Sequence, residues 1–402
     1  MSFRLKKKQS RAVRSSTVTI KWLKTLIYVL MTTLLMVEVM LRIFPIILTP
    51  TAANIDLYRA DSRLGWAFHP GAQAEIAALD VHTVVTINSH GLRDQDHDYQ
   101  PPTWVNHRIL VLADSFGAAL QVDLQHAFPS ILEQLLGDDF EVINAGVDGY
   151  GTDQEMLYYE TEGRHYNADI VLLMFTLSND ARDVSEDLIV QDLWRRLRTK
   201  PYFRLEHGQL VLDTFPRQSV FRNIYAEQRT FDGCFPENNS PTCFLLQNSM
   251  ILQLAFDLSS VRAINSGQVS PAPYPTNSPE WANAWELIRA MLHRLDSSVK
   301  ADGAQLMVFF VGDASAADLR IRAERVARYP ASADIDWLAP NRELASILDD
   351  LQIPYIDPIE RFEAEAIASQ LYIQGDYHWT AAGHQLVAEI LNTWIRRQIN
   401  DG

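Results

Sequence analysis

Cysteine is nearly absent from this chain: only Cys234 and Cys243 occur among 402 residues. Both lie inside "DGCFPENNSPTCF", with no second pair and no nearby histidine, so a four-ligand zinc site is excluded there. In a reducing cytosol the two thiols would be incidental. In an exported domain, a disulfide between them would staple a loop rich in Pro and Asn. No internal repeat is visible, which excludes a repeat architecture. Basic residues are scarce beyond residue 44, where 26 Lys/Arg face 49 Asp/Glu and leave a formal charge of −23. Such a body repels phosphate backbones and anionic headgroups, which argues against nucleic acid and against extended docking on an acidic membrane. Neutral or cationic substrates suit it better. At 47% hydrophobic and 21% charged, the chain is not disordered for most of its length, which suffices for one large domain with insertions or for two domains.

The scarce positive charge is concentrated at the start. Eight basic residues in segment 1–24 (Arg4, Lys6, Lys7, Lys8, Arg11, Arg14, Lys21, Lys24) precede an apolar run over 25–48. Only Glu38 and Arg42 interrupt that run, four apart, where they can pair on one helix face. Its length, roughly 36 Å as a helix, crosses a hydrocarbon core of about 30 Å. The expectation is therefore a single transmembrane helix, a cytoplasmic basic segment and an extracytoplasmic body. A cleaved signal peptide ending at Thr51-Ala52-Ala53 is the competing reading, and it also exports the body.

Residues 54–104 read as a lead-in segment with short strands, one of them over Thr83 to Ile87 before an Asn-Ser-His-Gly turn. The run Asp94, Asp96, His97, Asp98 reads as a solvated loop without function. From Arg108, short apolar runs alternate with helical periodicity. Strands are expected at "RILVLA", "EVINAG" (141–146), "DIVLLMFTL" (169–177), "QLMVFFV" (305–311) and "PYIDPI" (354–359). Helices are expected near 127–136, 152–166 and 340–350, with two more carrying Trp281 to Leu295 and Val387 to Trp394. Continuous apolar runs suit strands buried on both faces. Five parallel strands with intervening helices predict a three-layer α/β/α sheet over 105–400, with a loop-rich insertion at about 181–280. An insertion so long is usually functional or a lid.

Ligands of such sheets bind beyond the carboxyl ends of the strands. Three polar clusters fall there: Asp114-Ser115, "NAGVDGYG" (144–151) and Ser178-Asn179-Asp180. A serine nucleophile needs a base, and the base an orienting carboxylate. "GDYHWTAAGH" supplies Asp376 and His378 just before the last helix. The backbone amides of Ser115 and Gly149 and the side-chain amide of Asn179 are candidate donors to an oxyanion. Each residue also has a bland reading. Ser115 also reads as a helix cap, Asn179 and Asp180 as turn residues, Gly149 as a loop glycine, and Trp379 as a packing residue. His384 is an alternative base, although its place inside the last helix suits that role poorly.

In their order and spacing, "ADSFG", "VINAGVDGYGTDQ", "SND" and "DYHW" resemble the four blocks of the SGNH hydrolases, the GDSL-type esterase/lipase superfamily. The resemblance covers roughly 105–400, apart from much of the insertion. It implies a flavodoxin-like sandwich with Ser115 as nucleophile, Gly149 and Asn179 completing an oxyanion hole with Ser115, His378 as base and Asp376 as its orienter. It also implies a reaction without cofactor or metal, on a small-molecule or glycan ester. Three positions depart from the family pattern. Ala113 replaces a glycine, Leu177-Ser178 lacks one, and Asp376 lies two residues before His378 where three is commoner, with Gly375 in the usual place. The "DYHW" ending also resembles membrane-linked members acting on O-acetyl groups of extracellular polysaccharides. The expected activity is an anchored serine esterase. The alternatives are an O-acyltransferase or acetylesterase acting on cell-surface polysaccharide, and an inactive glycan-binding or assembly protein.

Overall fold

The computed structural model describes residue 22 and residues 24–40, 57–78, 81–189, 200–212, 278–328 and 330–401. Cys234 and Cys243 lie outside the described residues, as does most of the insertion. The described part of the expected membrane span, 25–40, is helical with exposed apolar side chains such as Leu26, Leu35 and Met36, whereas 41–48 lie outside. Among the described residues no helix is long and apolar enough to cross a membrane.

The lead-in segment folds as two antiparallel hairpins, β1 (Tyr58–Asp61) with β2 (Gly65–Phe68), and β3 (Gln73–Ala78) with β4 (Val81–Thr86). Behind them lies one sheet of five parallel strands: β5 (His107–Leu112), β6 (Phe140–Asn144), β7 (Ile170–Thr176), β10 (Gln305–Val311) and β11 (Tyr355–Ile356). A small hairpin, β8 (Phe203–Glu206) with β9 (Gln209–Leu212), belongs to the insertion. The order across the sheet is β6-β5-β7-β10-β11, so the chain reverses its direction of winding between β5 and β7. This is the flavodoxin-like order, in which ligands sit beyond the strand ends at the reversal. Every residue of β7 is buried because helices cover both faces, which is why its sequence is apolar without alternation.

Six helices matter for the site: α1 (Ser115–Ala118), α2 (Phe128–Leu136), α3 (Thr152–Thr161), α4 (Pro279–Ala301), α5 (Ala339–Leu351) and α6 (Ala381–Asp401). One core places Met156, Ile288, Leu292 and Leu348 of α3, α4 and α5 against Leu110, Val171 and Val308 of the sheet. The other places Leu132 of α2 and Val387 and Leu391 of α6 against Ile109, Leu172 and Met307. Alternate residues of each strand serve opposite cores, as the period of two demands.

Three local expectations are corrected. The loop around His97 is exposed at Asp96 and Asp98, as expected, but not at His97 itself. His97 is buried, its Nδ1 is 2.7 Å from Glu141 and its Nε2 is 3.2 Å from Asp94. Burial opposes its protonation, but the two carboxylates outweigh that and raise its pKa to about 9. The last strand shrinks to Tyr355–Ile356, since a helix starts at Ile359 behind Pro358. Residues 314–317 and 319–328 form helices that periodicity left unread. At the sheet edge, Glu133 and Asp94 accept from the backbone amides of Val142 and Asn144 at 2.8 and 2.7 Å. These carboxylates cover β6 and leave less of it open to pairing with another chain.

Candidate active site

β5 ends at Leu112 and the chain turns at once into α1, which Ser115 opens. The cap of this turn is Asp114, whose Oδ1 accepts from the Phe116 amide at 3.0 Å, so capping does not fall to Ser115. Asp114 is fully buried, and its Oδ2 accepts from Asn179 Nδ2 at 3.0 Å. Burial pushes the Asp114 carboxyl above the ordinary range, against the pull of the Asn179 and Phe116 bonds. Ala113 does not crowd the site. Its Cβ occupies core space, and a Cβ on Gly117 would approach it to 2.4 Å, so Gly117 supplies the room.

The loop after β6 meets this turn backbone to backbone. A Cβ on Gly146 would lie 2.5 Å from the Gly117 carbonyl carbon, a distance side chains do not tolerate. Asn144 links the two, donating from Nδ2 to the Gly117 carbonyl at 2.9 Å and accepting the Gly146 amide on Oδ1 at 3.0 Å. Gly149 has φ +77°, a left-handed conformation that glycine takes without a steric cost. Beside it, Trp66 Nε1 donates to the Asp148 carbonyl at 3.0 Å and Tyr58 donates to the Asp148 carboxylate at 3.3 Å. Among the described residues, no protein group accepts from the backbone amides of Ser115 or Gly149.

After β7, Asn179 stands at the start of the short helix Asp180–Asp183 but does not cap it with its side chain. Its amide turns toward Asp114, one N–H spent there and the second free to donate elsewhere. Asp180 is buried, and its Oδ2 accepts the Thr176 amide at 2.9 Å, which tightens the turn. Asp114 thus joins the ends of β5 and β7, and Asn144 joins the end of β6 to the same turn.

Asp376 and His378 lie in a loop that closes on itself, with the Ile373 amide donating to the His378 carbonyl at 2.8 Å and Thr380 to Leu371 at 2.9 Å. Asp376 Oδ1 accepts from the His378 backbone amide at 3.1 Å and pairs with the ring Nδ1 of the same residue. The spacing of two works because Tyr377 between them has φ +72° and Gly375 has φ +81°, which fold the carboxylate back over the imidazole. Burial opposes the imidazolium, yet the Asp376 bond and the charges of Asp376, Asp148 and Asp114 hold the His378 pKa above its ordinary 6.5. Burial pushes Asp376 up, and His378 outweighs it and lowers the carboxyl below the usual range. The His378 ring is 5.1 Å from that of Phe116, the residue after Ser115. Trp379 is buried and packs edge-on against Phe116 at 4.6 Å, so its part is packing.

His384 is a different kind of residue. It is buried, and its Nδ1 accepts from the Phe128 amide at 3.3 Å. Burial, then the charges of Arg93 and His378, push its pKa down to about 3. Its only lone pair faces a backbone donor, so it has none for a substrate.

Sequence reasoning missed the supports of this site, Arg93, Asn144, Tyr58 and Trp66. The available signals were weak: a polar turn "NSHGLRD" after an alternating strand, and an asparagine ending "EVIN".

No family model matches the sequence, and no curated protein matches it either. Among solved structures, the chain is similar to TesA, with 13% identity and a TM-score of 0.35 over 72% of this chain and 96% of that one. It is also similar to the acetyl xylan esterase AlAXEase, with 10% identity and a TM-score of 0.37 over 72% and 98% of the two chains. The acetylxylan esterase Axe2 of Geobacillus stearothermophilus compares at 12% identity and a TM-score of 0.36, over 71% of this chain and 93% of that one.

Proposed function

We propose that the chain is a serine hydrolase of carboxylic esters, acting through an acyl-enzyme at Ser115. The observation that carries the reading is the Asp376–His378 pair set against the nucleophile turn. With Nδ1 engaged by the carboxylate, the imidazole is held in the tautomer whose Nε2 carries the lone pair a general base needs. In this reading Ser115 Oγ attacks the ester carbonyl as its proton passes to His378 Nε2. The amides of Ser115 and Gly149 and the second N–H of Asn179 receive the oxyanion. Collapse breaks the ester C–O bond, and His378 returns the proton to the leaving alcohol. Water then attacks the acyl-enzyme, again losing a proton to His378, and the acid departs while Ser115 is restored.

The acidic body favours esters of neutral or cationic alcohols, including acetylated glycans. The basic N-terminal flank and the apolar run over 25–48 support an anchored protein with its catalytic domain extracytoplasmic. Labelling with a fluorophosphonate tests the chemistry: the parent chain should label and Ser115→Ala should not. Equal labelling of both would end this assignment. Protease added to intact cells tests the location by removing the body of an extracytoplasmic domain.

A further inference from the structure

Arg93 is a buried charged side chain that the reaction above does not use. It is carried by the turn after β4, where Asn88 Oδ1 accepts the amides of His90 and Leu92, both at 2.9 Å. Gly91, at φ +80°, passes so close to β2 that a Cβ would lie 3.2 Å from the Phe68 carbonyl. The turn is thereby fixed and aims Arg93 inward, where only 1% of it is exposed.

Its guanidinium meets the far end of the nucleophile turn. One terminal nitrogen donates to the Ala118 carbonyl at 2.8 Å and to that of Ala119, and the other donates to Val122. These carbonyls belong to the last residue of α1 and to the turn after it, and Ala119 has φ +49°, a left-handed conformation an alanine does not adopt unaided. Arg93's own carbonyl accepts from Asn144 Nδ2 at 3.3 Å, the same nitrogen that donates to Gly117. The segment from Ser115 to Val122 is therefore gripped at its start by Asp114 and at its end by Arg93. The residue that grips the end comes from a separate hairpin segment.

We infer that Arg93 is a positioning residue for Ser115, so that the N-terminal hairpin segment is part of the catalytic unit. The inference rests on the hydrolase reading of Ser115. A planar fork with parallel donors fits three carbonyls at once, whereas a lysine ammonium offers its donors from one point. A misplacement of the nucleophile by about 1 Å is enough to cost about 10²-fold in turnover.

The test uses the full chain and an aryl acetate. In Arg93→Met, kcat and the fluorophosphonate labelling rate should fall together by about 10²-fold with KM nearly unchanged, at temperatures where circular dichroism shows the fold intact. Arg93→Lys should recover part of the loss, and guanidinium at millimolar concentration should restore part of the turnover of Arg93→Ala. If Arg93→Met does not fold, Arg93→Lys and the guanidinium rescue carry the test. Folded Arg93 variants that melt earlier but turn over within about twofold of the parent would overturn the inference, because a merely structural role moves stability alone. Ser115→Ala separates the two readings: full turnover there would sink the hydrolase, while parent-like kcat in the Arg93 variants would sink only the clamp.

Discussion

The loop that carries His378 and the first turn of α6 that carries His384 are six residues apart and have opposite chemistry. In the loop, a carboxylate accepts the Nδ1–H hydrogen bond and raises the pKa, leaving Nε2 able to receive a proton. In the helix turn, a backbone N–H donates to Nδ1 and burial drives the pKa down to about 3. The difference teaches that a histidine's role here is set by which group faces Nδ1. Burial alone does not discriminate, since it disfavours the charged ring at both sites.

The comparison can be broken most directly by removing each histidine. His378→Ala, like Ser115→Ala, should lower kcat/KM on an aryl ester by about 10⁴-fold, with the folded state retained in thermal melts. Asp376→Asn leaves a ring without its anionic partner. A loss of roughly 10²- to 10⁴-fold is expected, together with a shift in the pH profile. In the parent, kcat/KM should rise with pH through an inflection above the ordinary 6.5, because the base must lose its proton and Asp376 holds it on. In the variant the inflection should move down; an unmoved inflection would show that another group titrates. Asn179→Ala should cost about 10²-fold in kcat with little change in KM, the behaviour of a lost oxyanion donor. His384→Ala should keep kcat within about threefold in folded protein while destabilising it by roughly 1–3 kcal/mol, since the Phe128 amide loses its acceptor. If His384→Ala were instead folded but inactive, the contrast between the two histidines would be void.

An effect on stability with none on the chemistry is its dependence on pH. His384 is held near pKa 3 in the fold against 6.5 when free, so between those values the unfolded chain binds more protons. Its contribution is intact above about 6.5 and is lost as pH falls toward 3. His97 has the opposite sign: raised to about 9, it supports the fold below 6.5 and stops doing so as pH rises through 9. Urea melts of His384 and His97 variants should therefore flatten opposite flanks of the stability profile.

Much of the sheet was legible in the sequence. β5, β7 and β10 are runs of apolar residues buried on both faces, and that pattern needs no tertiary knowledge to read. Ser115, Asn179, Asp376 and His378 were legible as residue types at strand and loop ends. The helices at 314–328 were not, because 314–317 is a single turn and 319–328 is rich in arginine, with few apolar residues to bury against the local cluster around Trp337. His97 was misread because a polar run has no period to show that one of its members is buried.

By itself, the sequence determined the alternation of strands and helices, the strand ends where polar groups collect, and the acidic body, since each depends only on residues near one another in the chain. Tertiary structure alone decided which histidine is able to act as a base, why a spacing of two still joins Asp376 to His378, and that Ala113 is accommodated by Gly117. It also brought Arg93 from a distant hairpin to the back of the turn that opens with Ser115. Those outcomes depend on what lies opposite a side chain, and residues far apart in sequence occupy those places.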